Sequence, residues 1–117
     1  MPRHQIARLA EIEPVECPCG QSRRAFVDDP DRIASLHVVE VTRDARTHYH
    51  KRLTEIYYVL EGTGRIELDG ETSPIGPGDS ILIKPGCRHR AIPDADTPLR
   101  VINVPVPAFD PDDEWFD

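Results

Sequence analysis

From residue 33 onward, hydrophobic and polar positions alternate in short runs, and most runs stop at a glycine, a proline or an Asp-Gly pair, the first at the polar, turn-like 43–45. Side chains two apart share one face of a strand, so this period predicts half-buried β-strands. Residues 33–42 are rich in valine, with His37, Val39 and Val41 on one face and Leu36, Val38 and Glu40 on the other. Residues 47–50 form a short strand in this reading. Residues 55–61 are dense in β-branched and aromatic side chains. Gly62 ends that run and Gly64 reopens one through 65–68. Asp69-Gly70 then predicts a two-residue type I′ turn into 71–75. Gly76-Pro77-Gly78-Asp79 leads to 80–84, Pro85-Gly86 turns into 88–92, and 99–104 is the last strand. No helical period longer than a turn or two interrupts the series. The pattern predicts an all-β domain, an antiparallel barrel or a double-sheet jelly roll. Residues 1–32 read as an N-terminal arm, 33–105 as the barrel and 106–117 as an acidic C-terminal tail of a single domain.

Composition narrows the partners. The chain has 117 residues, enough for one core. Its 14 Lys and Arg stand against 21 Asp and Glu, a formal net charge of −7. Such a surface repels polyphosphate, which argues against nucleic acids and anionic membranes as partners. No run approaches the ~20 apolar residues that span a bilayer. The first ten residues lack the apolar stretch of a secretory signal, so a cytoplasmic location is expected. Asp110, Asp112, Asp113, Glu114 and Asp117 crowd the end of the chain and read as a solvated terminus. Trp115 and Phe116 within it leave open a segment docked on the barrel or on a partner subunit.

The chemistry-bearing cluster is His48-Tyr49-His50, then Glu55, with His89 downstream. Two residues apart on a strand, His48 and His50 can aim both rings at one point. Glu55 opens the next strand across a short turn, and His89 follows Pro85-Gly86 on a strand that could close the site. Three imidazoles and a carboxylate suit one divalent transition metal: Zn, Fe, Mn, Ni, Co or Cu. A divalent ion there would leave a net charge of +1, favouring a small molecule with an anionic or enolisable oxygen ligand.

The stretch His48-x-His50-x4-Glu55-x6-Gly62 resembles the first motif of the cupin superfamily. Gly78-Asp79-Ser80-Ile81-Leu82-Ile83-Lys84-Pro85-Gly86-x2-His89 resembles its second motif. The two motifs occur in the right order, and the likeness spans about residues 36–104. The resemblance, to the small single-domain cupins, implies a double-stranded β-helix (jelly-roll) barrel with His48, His50, Glu55 and His89 as metal ligands. It also implies a homodimer as the expected assembly, with Tyr49 and the 6–15 arm as candidate contacts. Three motif positions depart: Thr42 and Pro93 replace the usual glycine and asparagine, and Lys84 stands where proline is usual, with Pro85 beside it. None supplies a ligand, but they weaken transfer of any one activity. Metal-dependent enzymes of dioxygenase, isomerase or lyase type, acting on a small oxygenated acid or sugar, share this fold with non-catalytic binding or sensor modules and structural metal barrels.

Strand parity places Tyr57 on the face of Glu55, either as a hydrogen-bond donor near the metal or as a core tyrosine. His37 is the candidate second catalytic residue, with a structural histidine as its alternative. Arg100 is a candidate to hold a carboxylate, and Lys51 and Arg52 are candidates to steer an anion, with solvated positions as the default for all three. Cys17 and Cys19 cannot build a Cys₄ zinc site with only Cys87 remaining, so structural or incidental roles are expected for them. Cys87, two residues before His89, would share its face if the run were extended.

Overall fold

The computed structural model describes residues 3–117. Nine strands follow in order: β1 (Val15–Cys17), β2 (Gly20–Ala25), β3 (Leu36–Val41), β4 (Thr54–Glu61), β5 (Gly64–Leu68), β6 (Glu71–Ile75), β7 (Ser80–Ile83), β8 (His89–Pro93) and β9 (Leu99–Val106). They form two antiparallel sheets, one in the order β1-β2-β3-β9-β4-β7 and one in the order β6-β5-β8. The two sheets face each other as a jelly roll, as the alternating pattern predicts. Among the described residues, no helix is long and apolar enough to cross a membrane.

The core follows from strand parity. On β4, Glu55 and Val59 are buried while Ile56 and Tyr58 are exposed. On β9, Leu99, Val101 and Pro105 point inward, with the polar Asn103 at the same parity. Val41, Val59, Ile66, Ile75, Ile81, Ile83, Leu99 and Val101 share one apolar cluster between the sheets. Burying each large side chain is worth about 1.5–3 kcal/mol, and a one-residue slip would expose a whole strand's set, so this cluster locks the register. The Asp69-Gly70 turn forms as expected, with φ of +49° and +84° between the paired residues Leu68 and Glu71. Gly62, the glycine of the first motif, has φ +88°, and a Cβ there would lie 2.2 Å from the Pro98 carbonyl oxygen. Its requirement is close backbone approach, not chemistry.

Three expectations change. Residues 47–50 form no regular strand. Each neighbour contributes a single bridging residue, His89 to His48 and Trp115 to Tyr49, so no ladder develops. The N-terminal region, which carries little pattern, supplies the β1–β2 hairpin, and β2 pairs along β3 from Gly20↔Val41 to Ala25↔Leu36. The acidic tail is no free solvated terminus. It folds back over the 47–53 segment, with Asp113 only 1% exposed.

Candidate metal centre

The three histidines and the glutamate meet where the 47–50 segment, β4 and β8 converge. One ligand atom from each of His48, His50, Glu55 and His89 lies within 4.8 Å of all the others. Glu55 Oε1 sits 2.9 Å from His50 Nε2 and 3.1 Å from His89 Nε2. The other ring nitrogens fix the tautomers. His48 Nδ1 lies 3.2 Å from the Arg46 carbonyl, His50 Nδ1 2.6 Å from the Asp113 carbonyl and His89 Nδ1 2.9 Å from the Cys87 carbonyl. A carbonyl oxygen only accepts, so each Nδ1 carries a proton, and the neutral tautomer of each ring has its bare Nε2 toward the centre.

That arrangement leaves His50 Nε2, Glu55 Oε1 and His89 Nε2 buried without a hydrogen-bond partner of sound geometry. Lone pairs converging at 2.9–3.1 Å repel unless a positive charge lies between them. The donor set therefore fits a divalent cation, and the backbone carbonyls behind the rings are the usual orienting groups of such a site. Asn103 Nδ2 donates to Glu55 Oε2 at 2.7 Å, which orients the carboxylate and leaves Oε1 for the centre.

Electrostatics favour an ionised Glu55 and a neutral His48, and draw His50 the other way. Burial, reinforced by neighbouring His89, pulls His48 down to about 4. Burial acts against ionisation of Glu55, but the His50 and His89 rings outweigh it and hold the carboxyl well below the ordinary range. Burial lowers His50, but contact with Glu55 and the Asp113 carbonyl more than compensates and raises it.

The cluster opens on a cavity of about 120 Å³. Tyr57 and Asn103 line it, as do two stacked pairs, Arg24 over Phe109 and Arg46 over Phe116. Burial and the Glu55 charge push the Tyr57 hydroxyl well above its ordinary pKa, so it stays protonated. Its ring meets that of His89 edge to face at 6.2 Å. Asn103 Oδ1 is buried and unpartnered. His37 also lines the cavity, bonded through Nε2 to Ser35 Oγ at 2.8 Å. Burial and the Arg24 charge pull its pKa down to about 4. A ring so weakly basic is neutral at pH 7, which suits a hydrogen-bonding wall better than proton abstraction.

Several other candidates sit elsewhere. Cys87 lies in the turn before β8, bonded through its N–H to the Lys84 carbonyl, and its thiol does not join the cluster. Its carbonyl, not its sulfur, serves the site. Arg100 pairs with Glu40 at 3.2 Å and Glu61 at 3.8 Å, away from the cavity. Arg52 pairs with Asp110 at 2.6 Å, and Lys51 rests over the Trp115 ring at 3.6 Å. One face of the Tyr49 ring is covered by the Arg88 guanidinium at 3.5 Å. Sequence reasoning missed Asn103 and Asp113. Asn103 carried a signal, a lone amide at an inward position of an apolar strand. Asp113 carried none, because its partners lie about sixty residues away in sequence.

A double-sheet jelly roll with a three-histidine, one-glutamate cluster beside a cavity defines a β-barrel with a candidate metal site. The chain belongs to the cupin family: the family model for the cupin domain matches residues 35–105. A crystal structure of a protein from Planctomyces limnophilus is similar, with 43% identity, a TM-score of 0.88, and coverage of 99% of this chain and 97% of that one. The Streptomyces nucleoside dehydratase Pac13 shares the fold at 23% identity and a TM-score of 0.81, covering 96% of this chain and 89% of that one. An uncharacterized protein of Methanocaldococcus jannaschii is 33% identical over 76 residues, 65% of this chain. The chain spans 60–61% of the length of the curated relatives it matches.

Proposed function

We propose that the chain is a metal-dependent enzyme of dioxygenase, isomerase or lyase type, acting on a small oxygenated organic acid or sugar. The observation that supports this most directly is the convergence of His48, His50, Glu55 and His89, three of which (His48, His50 and Glu55) also line a cavity with polar groups of its own. A divalent ion held by His48, His50, Glu55 and His89 supplies a Lewis-acid or redox centre. The remaining work belongs to the chain. Tyr57, kept protonated, donates a hydrogen bond or a proton to a substrate oxygen. Asn103 orients Glu55 with its amide N–H and offers its unpartnered Oδ1 to a substrate hydroxyl. His37, neutral, orders the wall beside them.

Charge and size narrow the substrate. With Glu55 at −1, a divalent ion leaves +1, and Arg24 adds positive charge at the wall. Its guanidinium bonds Ser22 Oγ at 2.9 Å and covers Phe109 at 4.7 Å, with no carboxylate partner among the described residues. An anionic head group suits that end. A volume of about 120 Å³ is slightly less than the ~150 Å³ that encloses benzene. The enclosed part of the substrate is therefore a small acid or sugar fragment, and a nucleoside would protrude.

The test begins with protein purified without chelator. Elemental analysis is expected to find about one transition metal per chain, and His50→Ala is expected to lose it. A panel of small hydroxy acids, keto acids and sugars should then reveal turnover that chelation abolishes. Metal-free protein with undiminished turnover would defeat the reading. Tight binding of a panel member without turnover would favour a binding module instead.

A further inference from the structure

Cys17 closes β1 and Cys19 lies in the turn to β2, separated by Pro18. The hairpin pairs Cys17 with Gly20, so the turn is tight. Its backbone is held from outside. The Cys19 carbonyl accepts from Thr42 N at 2.8 Å and Arg43 N at 3.3 Å. The Arg43 guanidinium donates to the Cys17 and Pro18 carbonyls, both at 3.1 Å. Gly20 has φ +153°, and a Cβ there would lie 2.0 Å from the Glu40 carbonyl oxygen, so the turn presses directly on β3.

In that frame the two sulfurs are 3.3 Å apart. A disulfide needs ~2.05 Å, so closure asks for little more than an ångström of side-chain movement. Both cysteines line the cavity that holds His48, His50 and Glu55. One proton serves the pair. The Cys19 thiol, backbone N–H groups and Arg24 together outweigh burial and bring Cys17 down to about 6, while its thiolate pushes Cys19 far up. Cys87 differs: burial and Asp69 raise its thiol.

We propose that Cys17 and Cys19 form a reversible thiol–disulfide exchange site in the cavity wall, reactive toward low-molecular-weight disulfides. The Cys17 thiolate attacks one sulfur of a disulfide RSSR. The S–S bond breaks, and RS⁻ leaves and takes up a proton. Cys19 then loses its proton to solvent and attacks the Cys17 sulfur, expelling a second RS⁻, which is protonated in turn. Two cysteine thiols and RSSR become one intrachain disulfide and two RSH, with two electrons passing from the chain to the small disulfide. Excess RSH reverses both steps. The site needs only the hairpin and stands independently of the metal reading.

The full chain, titrated with glutathione at graded oxidised-to-reduced ratios, acid-quenched and mapped by peptide mass spectrometry, tests this. The expected product lacks two hydrogens in the peptide carrying Cys17 and Cys19, reverts with reduced glutathione, and leaves Cys87 free to alkylate. Cys19→Ser is expected to trap one glutathione on Cys17. At pH 5.5, iodoacetamide should modify Cys17 of the unaltered chain about tenfold faster than Cys87, the greater thiolate fraction outweighing its lower intrinsic nucleophilicity. That measurement needs no variant to fold. Glutathione spread evenly over the three cysteines, a wild-type adduct that never closes, or equal alkylation rates would each overturn the proposal.

Discussion

Replacing Asp113 with alanine should both destabilise the chain and loosen the metal centre. Asp113 Oδ1 accepts from Lys51 N at 2.9 Å and Trp115 Nε1 at 3.1 Å. Oδ2 accepts from Arg52 N at 3.0 Å and Leu53 N at 3.1 Å. The Trp115 indole is 40% exposed and can turn to water, and the Lys51 and Arg52 amides are only partly enclosed. Leu53 N, beside a side chain 2% exposed, cannot reach water without moving the turn. Hydrogen bonds to a charged acceptor contribute about 1.5–3 kcal/mol each and are not additive, so a net loss of about 3–4 kcal/mol is expected. For a domain of this size that corresponds to a fall in Tm on the order of 10–20 °C. Burial opposes ionisation of Asp113, but these four donors prevail and hold its carboxyl below the usual range. Its contribution is therefore full above the unfolded pKa near 4 and is lost as pH falls through the lower folded value. The assay is urea unfolding in the presence of chelator, where no metal contributes. A second readout comes from metal titration. The Asp113 carbonyl holds His50 Nδ1–H at 2.6 Å, so displacing this turn should weaken metal affinity about 10–100-fold. Metal-free stability within about 1 kcal/mol of the parent, with unchanged metal affinity, would refute the reasoning.

Other expectations are independent of that turn. Tyr57→Phe should retain metal and lower turnover on any substrate found by about 10²-fold, whereas loss of metal would mark Tyr57 as structural. Asn103→Leu removes the 2.7 Å bond to Glu55, so metal affinity should fall by roughly tenfold or more, and unchanged affinity would show that Glu55 orients itself. In the metal-free chain, the depressed His37 and His48 bind protons first in the unfolded state, so stability should decline from pH 6.5 toward 4. The slope should reach about 1.4 kcal/mol per pH unit per histidine. His50, raised by Glu55, acts oppositely: its contribution is full below 6.5 and is lost at higher pH. A stability profile flat between pH 4 and 6.5 would contradict both assignments. We also propose that a homodimer forms through the outer face of β7, β4 and β9, where Leu82 is 58% exposed, Tyr58 44%, Ile56 43% and Val106 42%. Leu82→Glu should give a monomer by light scattering, and a monomeric parent at tens of micromolar would exclude this face.

What the sequence reveals here divides by range of interaction. Alternation, the Asp69-Gly70 turn and the inward parity of Glu55, Tyr57 and Val59 are local properties, and β4 and β5 appear within a residue of where the pattern puts them. The four candidate ligands are readable because their spacing is tied to turns that the chain itself marks. The segment bearing His48 and His50 is not a strand, yet both rings reach the centre, because backbone carbonyls from Arg46 and Asp113 aim them. Sheet alternation was a sufficient guide for the wrong reason. Asn103 was open to discovery through parity. The β1–β2 hairpin was not, since its exposed polar residues alternate weakly and its order comes from pairing along β3.

Asp113 shows why an acidic tail resists such reading. Asp110, Asp112, Asp113, Glu114 and Asp117 look equivalent as a charge run, and only the three-dimensional path distinguishes them. Asp110 caps the turn at Asp112 N, and Asp117 pairs with Arg88 at 3.0 Å. Glu114 lies 3.8 Å from His48 Nε2, near enough to add negative charge beside the centre. Asp113 alone turns inward and ties together the loop that carries His50. One charge of the five thus holds the loop that carries His50, and a second lies beside the cluster. If the tail were merely solvated, neutralising any one of the five would matter equally little. The expected ordering is instead steep, with Asp113→Asn well ahead of Asp112→Asn in both lost stability and lost metal affinity. Equal effects from those two exposed-looking neighbours would return the tail to the role its composition first implied.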